Sequence, residues 1–525
     1  MAKSNLKTSS ILSGLLIKLA IVLVILLVAG YLNLRLDLSQ NKAYTLSSAS
    51  KEATKGLKDN MVLKIYASAE LPAGLSSIDR YLRDLLSEFK LAGEGKFHYE
   101  YVRGLSPEEL KSQAMQNGLK PMIFQIYEND ETTTKEIIYG VVFEFQGNML
   151  TMQVKPGMEP QLEYSLTQMI QKLGKQKLPK VTVFADTLFA RMPTDSFSMG
   201  MDANFELKVV DLMTPPEQTE VMVFTGASAD LEPQQLYHLD QFLMKGGSLV
   251  VMQDRIGTDG SGIIPISSNV FPLLEHYGLK ISQEVVLDVF CDQRGTGVGN
   301  SIAFPVYPVL RGSEHPITAN IANIVIYLGS ALAFNKDPNL KFMPILSSSA
   351  KSGLLPGPPY VLDDKLFNNP DPETFNKPPI TIGATVEGKF TSYFADKPEL
   401  QQPGFVASTE KSRIVAFGDR ELFLDSDKDI YKDRYYIVLN AVDWLLKRDS
   451  MISIRSRSIT QSILSIPYYM HKRDIVWGDL AKTERRIKTG IKVVGAVLPS
   501  LILILVGLFL ALRRKQLAGE ANAEK

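Results

Sequence analysis

The residues best placed to do chemistry are acids that close short apolar runs. Asp254 ends "SLVVMQD", Asp419 ends "RIVAFGD", and Gly226 follows "EVMVFT". In an open parallel sheet, ligands bind outside the carboxyl ends of the strands, near the point where strand order reverses. If these runs are strands of one sheet, Gly226, Asp254 and Asp419 face one crevice and form a candidate ligand-binding set. The plain alternative is that acids there satisfy the N–H groups of the loops that follow. Further on, Asp425, Asp427 and Asp429 open like a calcium loop. Ile430 stands where that loop needs Gly, and Tyr436 where it needs Glu. An acidic lead into a helix, favoured by the helix dipole, is the simpler reading.

Two glycine patterns imitate nucleotide sites. Gly383 to Phe390, "GATVEGKF", has the G-x-x-x-x-G-K spacing of a phosphate loop, but Phe390 replaces the hydroxyl that would hold magnesium. Such a loop must open a helix so that backbone N–H groups converge on phosphate. Here "ITIGATVEGKFTSYF" alternates, so a strand-turn-strand hairpin is expected, and the chain is not expected to be an ATPase itself. "RGTGVGN", with Gly295, Gly297 and Gly299, is followed by "SIAFPVYPVL", whose prolines cannot continue a helix; a turning loop is expected.

Nucleophilic and metal chemistry find little footing. Cys291 is the single cysteine, which rules out an intrachain disulfide and a C-x-x-C site. The five histidines (His98, His238, His276, His315, His471) show no ligand spacing, and His315 before Pro316 reads as a turn residue. No G-x-S-x-G occurs. No catalytic residue, metal or cofactor is therefore assigned, and an enzyme is not expected.

The elements that must position the acids follow from periodicity. Thr45 or Ser47 would cap a helix with Ala49, Ala53 and Leu57 on one side. "MVLKIYAS" is a strand, Ile78 to Lys90 a helix, "KFHYEYV" a strand, and "KEIIYGVVFEFQGNMLTMQV" a hairpin turning at Gly147-Asn148. After "KLGKQKLPK", the runs "VTVFAD", "FELKVVDL", "EVMVFTGAS" and "SLVVMQD" lack strict alternation, as strands covered on both faces do. "EPQQLYHLDQFLMKGG" is a helix between the last two, with Leu236, Leu239, Phe242 and Leu243 on one face, giving a βαβ unit with a parallel sheet. "RIVAFGD" repeats the pattern before a helix at Tyr431 to Leu446.

Composition sets the surroundings. With 57 basic and 57 acidic residues the chain has no net field for nucleic acid, and 45% hydrophobic residues exclude bulk disorder. Residues 11–32 and 493–512 are apolar stretches long enough to cross the roughly 30 Å hydrocarbon core. A cleaved signal peptide is the competing reading of the first. Arg513, Arg514 and Lys515, with Lys3 and Lys7, favour cytoplasmic tails at 1–10 and 513–525, although Arg485, Arg486, Lys488 and Lys492 crowd the other side. The expected order between the spans is an α+β domain at 33–175 and an α/β domain at 176–450. The latter carries a Pro-rich insertion near 351–379. An interfacial juxtamembrane segment, rich in Tyr, Trp and basic residues, follows at 451–492.

Motifs spread along the chain carry a family resemblance: "RLDLSQNKAYTLS", "SAELP", "LDQFLMKGGSLVVMQD", "HPIT", "EGKFTSYF", "SRIVAFGDRELF", "VLNAVDWLL", "ISIRSRSI" and a terminal span ending in Arg-Arg. In this order they resemble the gliding-motility-associated auxiliary protein of ABC transporters, the membrane-anchored component G type. The resemblance implies a non-ATPase, substrate-binding-like subunit of the bacterial cytoplasmic membrane, working with a permease and a separate ATP-binding subunit. Its large domain would lie in the periplasm, Rossmann-like and similar to class I glutamine amidotransferases without their catalysis. "VTVFADTLFARMPTD" departs from the family, whose members often have a Gly-His-Gly-Glu-like turn there. An envelope scaffold without a transport role is the alternative.

Overall fold

The runs VTVF, VMVF, LVVM and IVAF are apolar or β-branched at every position, which suits strands covered on both faces. In the computed structural model they form the centre of a ten-stranded mixed sheet. The structure describes residues 45–459 except 129–130, 175–177, 186–194, 217–218, 260–261, 298–299, 320, 322–323, 368–370 and 424–433. The apolar stretches 11–32 and 493–512 therefore lie outside the described residues, as do Asp425, Asp427 and Asp429. Among the described residues, no helix is long and apolar enough to cross a membrane.

The N-terminal unit comprises α1 (Ser48–Lys55), β1 (Met61–Ala67), α2 (Ala73–Ala92), β2 (Phe97–Tyr101), α3 (Pro107–Gln116), β3 (Met122–Glu128), β4 (Glu131–Ile137), β5 (Tyr139–Phe145), β6 (Asn148–Gln153) and α4 (Glu159–Leu173). Its sheet has the order β2-β1-β5-β6, with β1 parallel to β2 and antiparallel to β5. The helical period around Ile78–Lys90 becomes α2, which buries Leu75, Ile78, Leu82, Leu85, Leu86 and Phe89 against the sheet. The β5–β6 hairpin turns on Gln146 and Gly147, both at positive φ (49° and 77°), while Asn148 already pairs with Phe145. The turn thus sits one residue earlier than expected, because two consecutive positive-φ residues match the twist of the strands they join.

The second unit opens with β7 (Lys180–Phe184), α5 (Asp195–Asn204), β8 (Glu206–Val210), β9 (Val221–Phe224), α6 (Pro233–Met244) and β10 (Ser248–Met252). A long excursion follows: β11 (Ile256–Asp259), β12 (Gly262–Pro265), α7 (Val270–His276), β13 (Leu279–Asp288), β14 (Cys291–Gly297), β15 (Asn300–Gly312), β16 (Ile324–Val325), β17 (Ser330–Phe334), β18 (Leu340–Ser347), β19 (Ser352–Leu355), α8 (Asp364–Phe367), β20 (Thr381–Gly388), β21 (Phe390–Thr391) and β22 (Ser408–Thr409). The chain then returns to the sheet as β23 (Arg413–Phe417) and closes with α9 (Tyr436–Leu445) and α10 (Asp449–Ile459).

Five strands are parallel, in the order β8-β7-β9-β10-β23. Numbered along the chain this is 2-1-3-4-5, so the direction of winding reverses between β7 and β9. The predicted β9-α6-β10 unit is present. The sheet is not parallel throughout, however: the excursion adds β20, β18, β15 and β14 antiparallel beyond β23. Strand side chains alternate between two cores. Val181, Val183, Val221, Val223, Val250 and Val415 pack with α5 and α9, whereas Met222, Phe224, Leu249, Val251 and Ile414 pack with α6 and α7.

Four sequence expectations are corrected by packing. "FELKVVDL" becomes β8, an outer strand with Val209 65% exposed, rather than a strand covered on both faces. "ITIGATVEGKFTSYF" is two strands that do not pair: β20 lies in the main sheet and β21 pairs with β22. Gly295 and Gly297 of "RGTGVGN" lie in β14 and pair with β15 rather than forming a free loop, and Gly299 lies outside the described residues. In the Pro-rich stretch near 351–379, β19 pairs with β13, so part of it is sheet.

Candidate functional site

Because β9, β10 and β23 are parallel and adjacent, the residues that follow each of them arrive at one edge of the sheet. Gln253 N–H donates to Phe417 O at 2.9 Å, and the Gln253 amide pinches Ala227 from both sides (Ala227 N to Oε1 2.7 Å; Nε2 to Ala227 O 3.2 Å). The carboxyl ends of β9, β10 and β23 are thereby locked together, and the predicted residues meet around a residue that sequence reasoning missed, Arg420. Its Nε donates to Asp254 Oδ1 at 2.8 Å and its backbone N–H approaches Asp254 Oδ2 at 3.4 Å. Gly226 supplies the room. Its φ is +94°, and a Cβ there would overlap the Arg420 side chain and Met252 O. Only glycine meets both demands.

Asp419 sits beside this pair, fully buried. Its Oδ1 accepts from Glu421 N–H (2.6 Å) and its Oδ2 from Tyr327 N–H (3.0 Å), which fastens the segment before β17 to the strand end. Gly418 O accepts from Ser330 N–H at 2.7 Å and makes a second fastening. Arg434, just before α9, donates to Glu421 O (3.0 Å) and Val325 O (3.4 Å) and lies 4.5 Å over the Tyr327 ring. Arg294 lies 4.6 Å from the Tyr307 ring centroid, and Tyr307 and Tyr327 meet edge to face at 4.9 Å.

Burial dominates the electrostatics. It pushes the Asp254 carboxyl up to about 7 against the pull of Arg420, with Asp419 adding to the rise. Burial raises Asp419 too, with Arg434 and the two backbone donors opposing. Glu421 is pushed up to about 7 by burial and then by Asp419 and Asp254. Carboxyls displaced toward neutrality at strand ends mark candidate functional positions, although structural ion-pair networks do the same. Asp254 and Asp419 both have protein partners on their carboxylates, so the cluster is built as a closed polar lock more than an open crevice. Among the described residues, no three His, Cys, Asp or Glu side chains are grouped to hold a metal ion.

The other candidates fall where packing explains them. Cys291 is buried, and burial pushes its thiol up, away from the reactive thiolate. His315 O accepts from Thr318 N–H and Ala319 N–H, a turn closed under Trp444, and burial lowers the imidazole. Arg420 and Glu421 had one legible signal, the run Asp-Arg-Glu directly after an apolar strand. An arginine there has to find a carboxylate once it is covered.

With this geometry in place, the comparisons decide the lineage. A family model described as "ABC-type uncharacterized transport system" matches residues 173–440, from the end of α4 into α9. The chain belongs to this family. This transport-system family gives the protein an auxiliary role in ABC transport, and a second model, a domain of unknown function, matches residues 40–144. A Borreliella burgdorferi protein, described as uncharacterized, is 21% identical over 443 residues, covering 81% of this chain and 85% of its own. Among solved structures, the mmIFT52 N-terminal domain aligns with TM-score 0.32 and 16% identity, over 50% of this chain and 96% of that one. A β-galactosidase from Rahnella sp. R3 aligns with TM-score 0.25 and 10% identity, over 55% and 35% of the two chains. Both scores are too low to carry an argument about fold or activity.

Proposed function

We propose that the protein is a non-catalytic, non-ATPase auxiliary subunit of an ABC-type transport system. It would be held in the bacterial cytoplasmic membrane by residues 11–32 and 493–512, with its body outside the cytoplasm. A permease and a separate ATP-binding subunit would be its partners. The single observation that carries this reading is the family match across residues 173–440, the part that builds the main sheet. The segment that imitates a phosphate loop supports it, because Gly383–Gly388 is spent in β20 and continues into β21 rather than a helix. The 2-1-3-4-5 order of the parallel strands supports a Rossmann-like, amidotransferase-like origin for the body. The motif order supports the gliding-motility, component G lineage as the finer identity.

A second reading, an envelope scaffold, is favoured by one observation: Asp254, Asp419 and Arg420 are buried and bound to protein groups. Capture of the tagged full chain in mild detergent separates the two. Recovery of a polytopic protein and an ATPase with G-x-x-x-x-G-K-[ST] supports the transport subunit; repeated recovery of envelope proteins without either supports the scaffold.

A further inference from the structure

Two consecutive residues of α4 hold the two ends of the described chain. Glu163 Oε1 accepts from Ser47 N–H and Ser50 Oγ, both at 2.7 Å, and so caps the start of α1. At the other end of the pair, Gly174 lies against Leu57. The two helices are therefore parallel. Tyr164 Oη accepts from Arg455 Nε of α10 at 3.2 Å, and Gln171 of α4 reaches Met451 of α10 at 3.9 Å. Here the order is reversed, so α10 is antiparallel to α4 and its end returns to where α1 starts.

The position of α9 fixes which end of the body this is. Arg413, the first residue of β23, donates to Leu445 O (2.7 Å) and Trp444 O (3.2 Å) at the end of α9. The start of α9 lies at the opposite edge, where Arg434 meets Glu421. Tyr164 packs on Tyr436 in the first turn of α9 (6.2 Å between rings), and Arg455 binds Asn440 (2.6 Å) and Asp443 (2.7 Å). The starts of α1, α4 and α9 and the end of α10 therefore gather on the carboxyl-end side of the parallel strands. This is the same side that holds Asp254, Asp419 and Arg420.

We infer that the carboxyl-end edge of the sheet is the face this protein turns toward the bilayer. The inference rests on the proposed function, in which residues 11–32 and 493–512 span the membrane. The stretch from Leu32 to Thr45 reaches at most about 45 Å even fully extended, so the start of α1 stays near the membrane. The end of α10 lies on the same side, so both flanks join the body at one edge.

The two ends of β9 provide the test. Glu220 precedes the strand and Ala229 follows it, and both are exposed. Full-length Glu220→Cys and Ala229→Cys chains, each carrying a fluorophore, are reconstituted into phosphatidylcholine vesicles doped with headgroup spin-labelled lipid. Buried Cys291 gives only background labelling, measured on the wild type. The label at 229 should be quenched at least twofold more strongly than the label at 220. Equal quenching, or stronger quenching at 220, in chains that float with the vesicles overturns the orientation alone. A chain that stays in the soluble fraction overturns the two-span reading and this inference with it.

Discussion

At the scale of single residues, the account turns on whether the strand-end cluster is a lock. Removing one partner of a buried ion pair costs more than the pair contributes, because a charge is left without compensation. Asp254→Ala should therefore lower unfolding free energy by about 3–5 kcal/mol, measured by denaturant titration of the full chain in detergent. The double variant Asp254→Leu/Arg420→Leu should lose less than the single one. A double variant that loses as much as both singles added would show that the two residues do not act as a pair. Glu421 gives a pH signature. Its folded carboxyl is raised to about 7 from an ordinary 4.5, so between those values the native state binds a proton that the unfolded chain releases. The stability this provides is complete below about 4.5 and is lost as pH rises through 7. Glu421→Gln keeps the neutral form, so its Tm relative to wild type should climb between pH 4.5 and 7.5. A difference that stays flat over that range would place Glu421 in an ordinary solvated setting.

Among elements, α4 is the joint between the two units. Glu163 and Tyr164 face different helices, so their effects should be separable by hydrogen exchange. Glu163→Gln should speed exchange in α1 and leave α10 close to wild type, while Tyr164→Phe should do the opposite. Glu163→Gln weakens the two bonds to Ser47 and Ser50, and Tyr164→Phe removes those to Arg455 and Asn204, each worth roughly 0.5–1.5 kcal/mol. Equal loosening of both helices by either change would mean that α4 does not act as two separate clamps. The element scale is also where the sequence was most and least readable. Strands β7, β9, β10 and β23 and helices α2 and α6 follow from apolar runs and helical spacing, because their burial is dictated by local pattern. Pairing was not legible. Nothing in "GATVEGKF" says that Phe390 leaves the sheet to pair near Ser408, since that depends on residues far along the chain. Helix α10 was hidden for a similar reason: the partners that bury Arg455 of "ISIRSRSI" completely, Asn440, Asp443 and Tyr164, lie elsewhere along the chain. Residues 451–459 thus pack into the body, inside a stretch that sequence alone assigned to the membrane interface.

For the whole molecule, the candidate site was half legible. Gly226, Asp254 and Asp419 could be placed on one edge because parallel neighbours end at one level. Arg420, which joins them, and Tyr327, which covers them from the excursion, could not, because both act across long sequence separations. The structure also changes the meaning of the site: its carboxylates bind the protein's own groups, and the excursion between β10 and β23 builds half of the main sheet. Under the proposed function, this body works only in the company of a permease and an ATP-binding subunit. The most direct measurement is the native mass of the assembly extracted in mild detergent through a tag on this chain of 58.3 kDa. The account predicts a mass that exceeds this chain by a polytopic subunit and an ATPase bearing G-x-x-x-x-G-K-[ST]. A mass equal to the chain alone, or to whole multiples of it, would contradict the account.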